Sequence, residues 1–290
     1  MKDEDFVKQF RKLINITPQG LMGYLNQQLK ENYKYSETIV ENDFYLYAPG
    51  DIPVMLVAHL DTVFPESSKE LYFDHIKEVL WSPDGAGFDD RAGVLGILTV
   101  LSFGLKPHIL FTMGEEKGGK GAQRAVSTLK LRNKFKYIIE LDRRGRNDCV
   151  FYDCGNHKFI KYVQTFGFDF ATGSFSDISF LGPVWDIACV NLSIGYEDEH
   201  TYAEHLFLSN FKRTVVNVVK MLRDIDSAKY YKFMGPKKKK ENKVIYHCDC
   251  CGMSFGANEV IQVKDLGIFC MPCYNNYIRF DWEDDYGKVY

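Results

Sequence analysis

Two hydrophobic rhythms alternate along residues 1–235: short continuous apolar runs, and stretches in which apolar residues recur every third or fourth position. The continuous runs predict strands at residues 43–47, 54–58, 108–113, 137–141, 149–152 and 187–192. The helical spacing predicts helices near residues 6–15, 21–32, 93–102, 122–129, 157–165 and 209–226. Strands apolar on both faces and interleaved with helices imply an α/β fold, a mostly parallel mixed sheet with helices on both faces.

The rhythm breaks after the last of these helices. Gly235-Pro236 and the four lysines 237–240 form a helix stop followed by a like-charge run, which is the signature of a solvated linker. The chain therefore divides into a domain over 1–235, a Lys-rich linker over 236–240 and a small module over 241–290.

Composition narrows the function classes. Of 290 residues, 46% are hydrophobic and 26% charged, the proportions of a globular protein with a sizeable core. A net charge of −3 lacks the cationic field that nucleic acid or an anionic membrane surface attracts. The longest apolar stretches, such as residues 94–101, fall far short of the ~20 residues that cross a bilayer, so no membrane is involved. The opening Met-Lys-Asp-Glu-Asp has no signal-peptide core behind it, and a cytoplasmic location is expected.

The eight cysteines are unevenly placed. Cys149, Cys154 and Cys189 read as buried small apolar residues. In the tail, Cys248-x-x-Cys251 and Cys270-x-x-Cys273 stand 18 residues apart, the spacing of a structural zinc site closed by four thiolates. Cys250 is a spare thiol able to replace Cys251, and His247 is a weaker alternative ligand. So small a module has little core, and its metal would supply much of its stability. Residues 241–290 carry four basic against eight acidic side chains. That balance disfavours nucleic acid despite the lysine run and points instead to a protein partner or substrate gating.

In open α/β sheets, ligands bind beyond the carboxyl ends of the strands. There the sequence places His59-Leu60-Asp61, Gly114-Glu115-Glu116, Asp142 and His200, with Asp89-Asp90 in a Gly-rich turn opening a helix. Each has a plain reading singly, as a cap or a turn residue. Together they would crowd carboxylates at one sheet edge, and such carboxylates repel unless protonated or bridged by cations. A divalent metal pair resolves the crowding. Imidazole and carboxylate suit zinc, while manganese and cobalt would accept the same groups.

These motifs resemble the co-catalytic di-zinc metallopeptidases, the clan of aminopeptidases and carboxypeptidases with M28, M20 and M42 branches. The resemblance is carried by Ala58-His59-Leu60-Asp61-Thr62-Val63, Gly87-Phe88-Asp89-Asp90-Arg91-Ala92-Gly93-Val94, Thr112-Met113-Gly114-Glu115-Glu116-Lys117-Gly118-Gly119, Glu140-Leu141-Asp142 and Glu199-His200-Thr201, in the family's order. It implies that His59, Asp89 and Asp142 hold one zinc and Asp89, Glu116 and His200 the other, with Asp89 bridging. It implies further that Asp61 supports His59 from behind, Glu115 is the general base, and Asp90 shapes the turn. The reaction implied is hydrolysis of an amide bond by a metal-activated water, with a peptide or acylated amino acid as substrate. Asp142 and His200 are 58 residues apart, too close for the inserted domain of the M20 branch, so an M28-like single body is expected.

The sequence departs from the family at Glu199, where several M28 aminopeptidases carry a tyrosine that helps hold the oxyanion. Tyr196 and Tyr202 are the candidates to replace it. His205 competes with His200 as ligand, and the motif favours His200. Arg91, Arg143, Arg144 and Arg146 either balance the acidic cluster or offer a fork to a substrate carboxylate. The expectation is a zinc-dependent, aminopeptidase-like exopeptidase. The alternatives are a repurposed peptidase body acting as a binding module targeted by the tail, or an N-acyl amino-acid amidohydrolase.

Overall fold

Four of the predicted apolar runs lie side by side at the centre of one sheet. The structure, a computed structural model, describes residues 2–64, 68, 70–235, 246–255, 259–264 and 266–275. Internal contacts divide the chain into two units, Met1–Gly235 and Pro236–Tyr290. The linker expected at 236–240 and most of the acidic tail lie outside the described residues.

In chain order the first unit contains α1 (Asp3–Ile14), α2 (Pro18–Glu31), β1 (Ile39–Glu41), β2 (Tyr45–Ala48), β3 (Ile52–His59), β4 (Tyr72–Asp74), β5 (Val79–Trp81) and α3 (Phe88–Ser102). It continues with β6 (Pro107–Thr112), α4 (Lys120–Thr128), β7 (Tyr137–Arg143), β8 (Asp148–Val150), α5 (His157–Gln164), β9 (Asp169–Ala171), α6 (Ile178–Trp185), β10 (Cys189–Ser193), β11 (Tyr196–Glu197), β12 (His205–Phe207) and α7 (Leu208–Arg223). The eight-stranded sheet runs β1-β2-β6-β3-β7-β10-β8-β9. The central pairs β6/β3, β3/β7 and β7/β10 are parallel, and β2 and β8 join them antiparallel. Their side chains alternate between two apolar layers. One packs under α1, α2, α3 and α7, the other under α4 and α6.

Burial explains why α3 reads as apolar on every side. Residues 88–101 of it are all buried, between the sheet and the outer helices. Phe10 of α1 meets Phe88 and Phe211 edge-on, at ring distances of 5.5 and 5.2 Å, and so locks α1, α3 and α7 together. Gly93 is needed at the start of α3, because a Cβ there would stand 2.2 Å from the Leu141 carbonyl oxygen and 2.4 Å from Asp90 Oδ1. That close approach brings the Asp89-Asp90 turn against β7.

Besides the edge strands β1 and β9 and the earlier start of α3, three features differ from the sequence reading. α6 forms across Pro183, which can make no i→i−4 bond of its own, and the helix ends three residues later in a left-handed Asp186 (φ 57°). β4, β5, β11 and β12 make a second sheet, β11-β12-β5-β4. Its strands, two or three residues each, are too short for a periodicity to register. The run at 43–47 begins as a turn, with Asp43 left-handed (φ 65°), before β2 proper.

The second unit has β13 (Tyr246–His247), β14 (Ser254–Phe255), β15 (Val260–Val263), β16 (Gly267–Cys270) and α8 (Met271–Cys273). They form two antiparallel pairs, β13/β14 and β15/β16. Its small core is Cys248, Phe269, Cys270 and Cys273, packed with Phe255, Val263 and Tyr274.

Candidate metal centre

The polar landmarks of the sequence converge at the carboxyl ends of the central strands. His59 is the last residue of β3, Asp142 lies near the end of β7, and Glu115-Glu116 follow β6 through a left-handed Gly114 (φ 79°). Asp89 opens α3 with non-helical dihedrals, and His200 sits at φ 64° in the loop between β11 and β12.

Asp89 lies at the middle. Its Oδ1 is 2.9 Å from His59 Nε2, and its Oδ2 is 3.1 Å from His200 Nε2. His59 Nε2 also faces Asp142 Oδ1 at 3.5 Å, and His200 Nε2 faces Glu116 Oε1 at 3.0 Å. The two oxygens of Asp89 are thus shared between two sets of donors, His59 with Asp142 and His200 with Glu116. Donor atoms of His59, Asp89 and Glu116 lie within 4.8 Å of one another, as do those of His59, Asp90 and Asp142.

The electrostatics are those of a site built for cations. Burial, then the charge of Asp142, pushes the Glu115 carboxyl up to about 9. Burial, then Asp89, lifts Asp142 to about 7. Burial works against ionisation of Asp89 too, yet hydrogen bonds with His200 and His59 hold it below the usual carboxylate range. His200 is raised to about 9, chiefly by its hydrogen bond to Asp89. His59 Nε2 faces two carboxylates, at 2.9 and 3.5 Å, and has at most one proton to share between them. Among the described residues, buried Glu116 Oε1 has the ion-pair contact with His200 but no well-aligned hydrogen bond. This donor set fits a pair of divalent ions.

Other side chains orient the first set. Asp61 Oδ1 is 3.5 Å from His59 Nδ1, the outer limit of a hydrogen bond. The same oxygen accepts the backbone N–H groups of Gly114 at 2.7 Å and Glu115 at 3.2 Å, so Asp61 fixes the loop that carries the expected base. Asp90 accepts from the His59 N–H at 3.2 Å and the Gly93 N–H at 2.7 Å. The Tyr196 hydroxyl donates to Asp142 Oδ1 at 3.0 Å and is buried there, so it serves a carboxylate rather than an oxyanion. Tyr202 is exposed and its ring lies 5.6 Å from that of Phe64.

Glu199 pairs with Arg144 at 2.6 Å. Arg143 lies 3.9 Å from Asp148. Arg91 is buried and donates to the backbone carbonyls of Leu60 and Ile16, which leaves no fork for a substrate. His205 stands apart on β12, 3.0 Å from the Ala203 carbonyl oxygen and 3.6 Å from Asp198. Cys149, Cys154 and Cys189 are buried in the core.

Three residues at this edge escaped the sequence reading. Glu204 is fully buried and accepts the N–H groups of Phe88 and Asp89, each at 3.0 Å. Below the cluster, Ser176 donates to Glu140, and Asp177 accepts from Thr112. Burial, then the charge of Asp142, raises Glu140 well above its ordinary value, and burial lifts Asp177 to about 6. The available signal was acidic residues inside apolar surroundings.

In the second unit, sulfur atoms of Cys248, Cys251, Cys270 and Cys273 all lie within 4.8 Å of one another. The Cys251 and Cys270 sulfurs are 3.9 Å apart, close to the ~3.8 Å edge that tetrahedral bonds of ~2.3 Å produce. Cys250 is exposed and outside this group, and His247 Nδ1 lies 3.1 Å from the Ser254 hydroxyl.

No protein-family model matches the sequence, and no curated protein is detectably similar to it. Solved structures with a similar fold exist nonetheless. Aminopeptidase PepT from Bacillus cereus has a TM-score of 0.62 at 14% identity, over 78% of this chain and 99% of its own. A tripeptidase from Staphylococcus aureus has a TM-score of 0.60 at 14% identity, over 78% and 99%. The TET1 peptidase of Pyrococcus horikoshii has a TM-score of 0.56 at 13% identity, over 76% and 99%. At such identities the likeness establishes architecture: the chain has the α/β fold of these peptidase structures.

Proposed function

We propose that the chain is a metal-dependent exopeptidase that removes residues from a peptide terminus, with two divalent ions, zinc by preference, held by His59, Asp89, Asp142, Glu116 and His200. The observation that carries this reading is the division of the Asp89 oxygens between His59 and His200, each histidine with a second carboxylate facing it. Bound there, the ions supply a water acidified toward neutral pH and an electrophile for the scissile carbonyl.

Glu115 is the proton carrier. Its carboxyl is half-buried beside the cluster, and Asp61 anchors its backbone N–H. In this role it would accept a proton from the attacking water and return it to the leaving amine, from a loop that Asp61 holds in place. Asp61, Tyr196 and Asp90 hold the ligand side chains or their loops in place. The short separation of Asp142 and His200 supports a single-body, M28-like arrangement. The four cysteines of the tail, at zinc-like sulfur spacing, are read as a structural site, and the module as a surface for a protein partner. Among the described residues no helix is long and apolar enough to cross a membrane.

The test pairs Glu115→Gln with metal analysis and a panel of free, N-blocked and C-blocked peptides. The variant should keep its ions and lose hydrolysis, and the wild type should prefer free amino termini. Preference for N-acylated substrates would select the amidohydrolase reading. Absence of any turnover in the wild type would select the binding module, which the Glu199–Arg144 pair in place of the family's tyrosine favours.

A further inference from the structure

Glu204 lies four residues after His200 and immediately before β12, with its side chain fully buried. Its Oε2 accepts the Phe88 N–H and its Oε1 the Asp89 N–H, both at 3.0 Å. Those donors open α3, where a helix has no carbonyl of its own to offer them. One carboxylate therefore fastens the backbone that carries Asp89 to the loop that carries His200, across more than a hundred residues of sequence.

Both ends of this fastening are themselves held. The Glu204 N–H donates to the Thr201 carbonyl at 3.1 Å, closing the turn that follows His200. β12 pairs with β5 on one side and β11 on the other, which fixes where Glu204 starts. At the other end, Gly93 lets α3 seat against Leu141, so the segment bearing Asp89 has little room to drift. His200 and Asp89 face each other at 3.1 Å, and Glu204 joins the two segments that set this distance.

We propose that Glu204 is a positioning residue for the metal cluster: by joining the backbone at Asp89 to the loop after His200, it sets the spacing of these two ligands and hence the affinity for the ion between them. The inference rests on the metal reading given above. Glu204 touches neither substrate nor ion in this account. It acts as an outer-shell partner, and loss of such partners typically weakens metal binding about 10–100-fold.

The test is a titration of the full chain with Zn2+ against a chromophoric chelator, comparing wild type with Glu204→Gln and Glu204→Asp. Glutamine keeps the shape but turns an amide N–H toward one of the two backbone donors. We expect one active-site ion to bind about 10–100-fold more weakly in Glu204→Gln, with the four-cysteine site unchanged as an internal reference. Glu204→Asp keeps the charge but is one methylene shorter, and should fall between the two. Unchanged zinc affinity together with a lowered unfolding midpoint would make Glu204 a plain structural anchor and overturn the proposal. A wild-type chain that binds only the tail ion would remove the metal reading itself, before any variant is compared. Amide exchange in the zinc-free wild type gives a reading that needs no variant. Phe88 and Asp89 should stay protected, whereas exchange at the rate of an unstructured peptide would overturn the proposal.

Discussion

The two ends of the central parallel strands are built from similar residues to opposite effect. At the amino end, buried polar groups are matched inside the chain. Tyr47 and His108 Nδ1 are 2.8 Å apart, the Tyr35 hydroxyl donates to the Pro107 carbonyl at 2.6 Å, and Lys136 donates to the carbonyls of Ile225 and Ala228 at 2.6 and 2.8 Å. At the carboxyl end, among the described residues, Asp61 Oδ2, Glu140 Oε1 and Asp177 Oδ1 are buried without hydrogen-bond partners, while His59 Nδ1 and Glu116 Oε1 have only ion-pair contacts, with Asp61 at 3.5 Å and His200 at 3.0 Å. A buried polar group without a partner costs about 1–3 kcal/mol. One end is matched within the chain, and the other presents the carboxylates and imidazoles that the proposed ions would use.

The largest test of this contrast is Glu115→Gln, which should lower hydrolysis by about 10²–10⁴-fold while leaving metal content unchanged. Peptide-cleavage rates and metal analysis of the same sample check it. Next is Tyr196→Phe, which frees Asp142 Oδ1 from its hydroxyl donor. It should weaken metal binding about 10–100-fold in a folded chain, read by competition with a chelator.

At the opposite end the effects should be confined to stability. Tyr47→Phe removes the partner of His108 and should cost about 0.5–1.5 kcal/mol by urea unfolding, with hydrolysis unaltered. A loss of activity there would break the division between the ends.

The last test is a pH dependence. Burial holds His108 down at about 4, against an ordinary 6.5. The folded chain then binds this proton less readily than the unfolded one, so the neutral ring contributes stability above pH 6.5 that is lost as pH falls toward 4. The stability difference between wild type and His108→Gln should shrink over that window. A flat difference would show that the ring is not held neutral.

How far the sequence could be read follows the same division. The strands around Leu56, Ile109, Ile139 and Val190 announced themselves because they are buried on both faces and read as unbroken apolar runs. β4, β5, β11 and β12 did not, since two or three residues cannot show a period. α6 was hidden by Pro183, a residue that normally marks the end of a helix. At the candidate site, charged residues directly after apolar strands were conspicuous, and His59, Asp89, Glu116, Asp142 and His200 do meet there. Glu204 was not legible, because its partners are backbone N–H groups that leave no mark on side-chain identity. The role of Tyr196 was missed for a related reason. Its hydroxyl meets Asp142 only once β7 and β11 are brought together.

The central claim is that the carboxyl end of the sheet is completed by two ions that share Asp89. Counting zinc by native mass spectrometry on the full chain and on Asp89→Ala tests it most directly. We predict three ions in the wild type, two at the sheet edge and one in the four-cysteine module, with the sheet-edge ions lost or weakened in the variant. A single ion in both proteins would contradict the account.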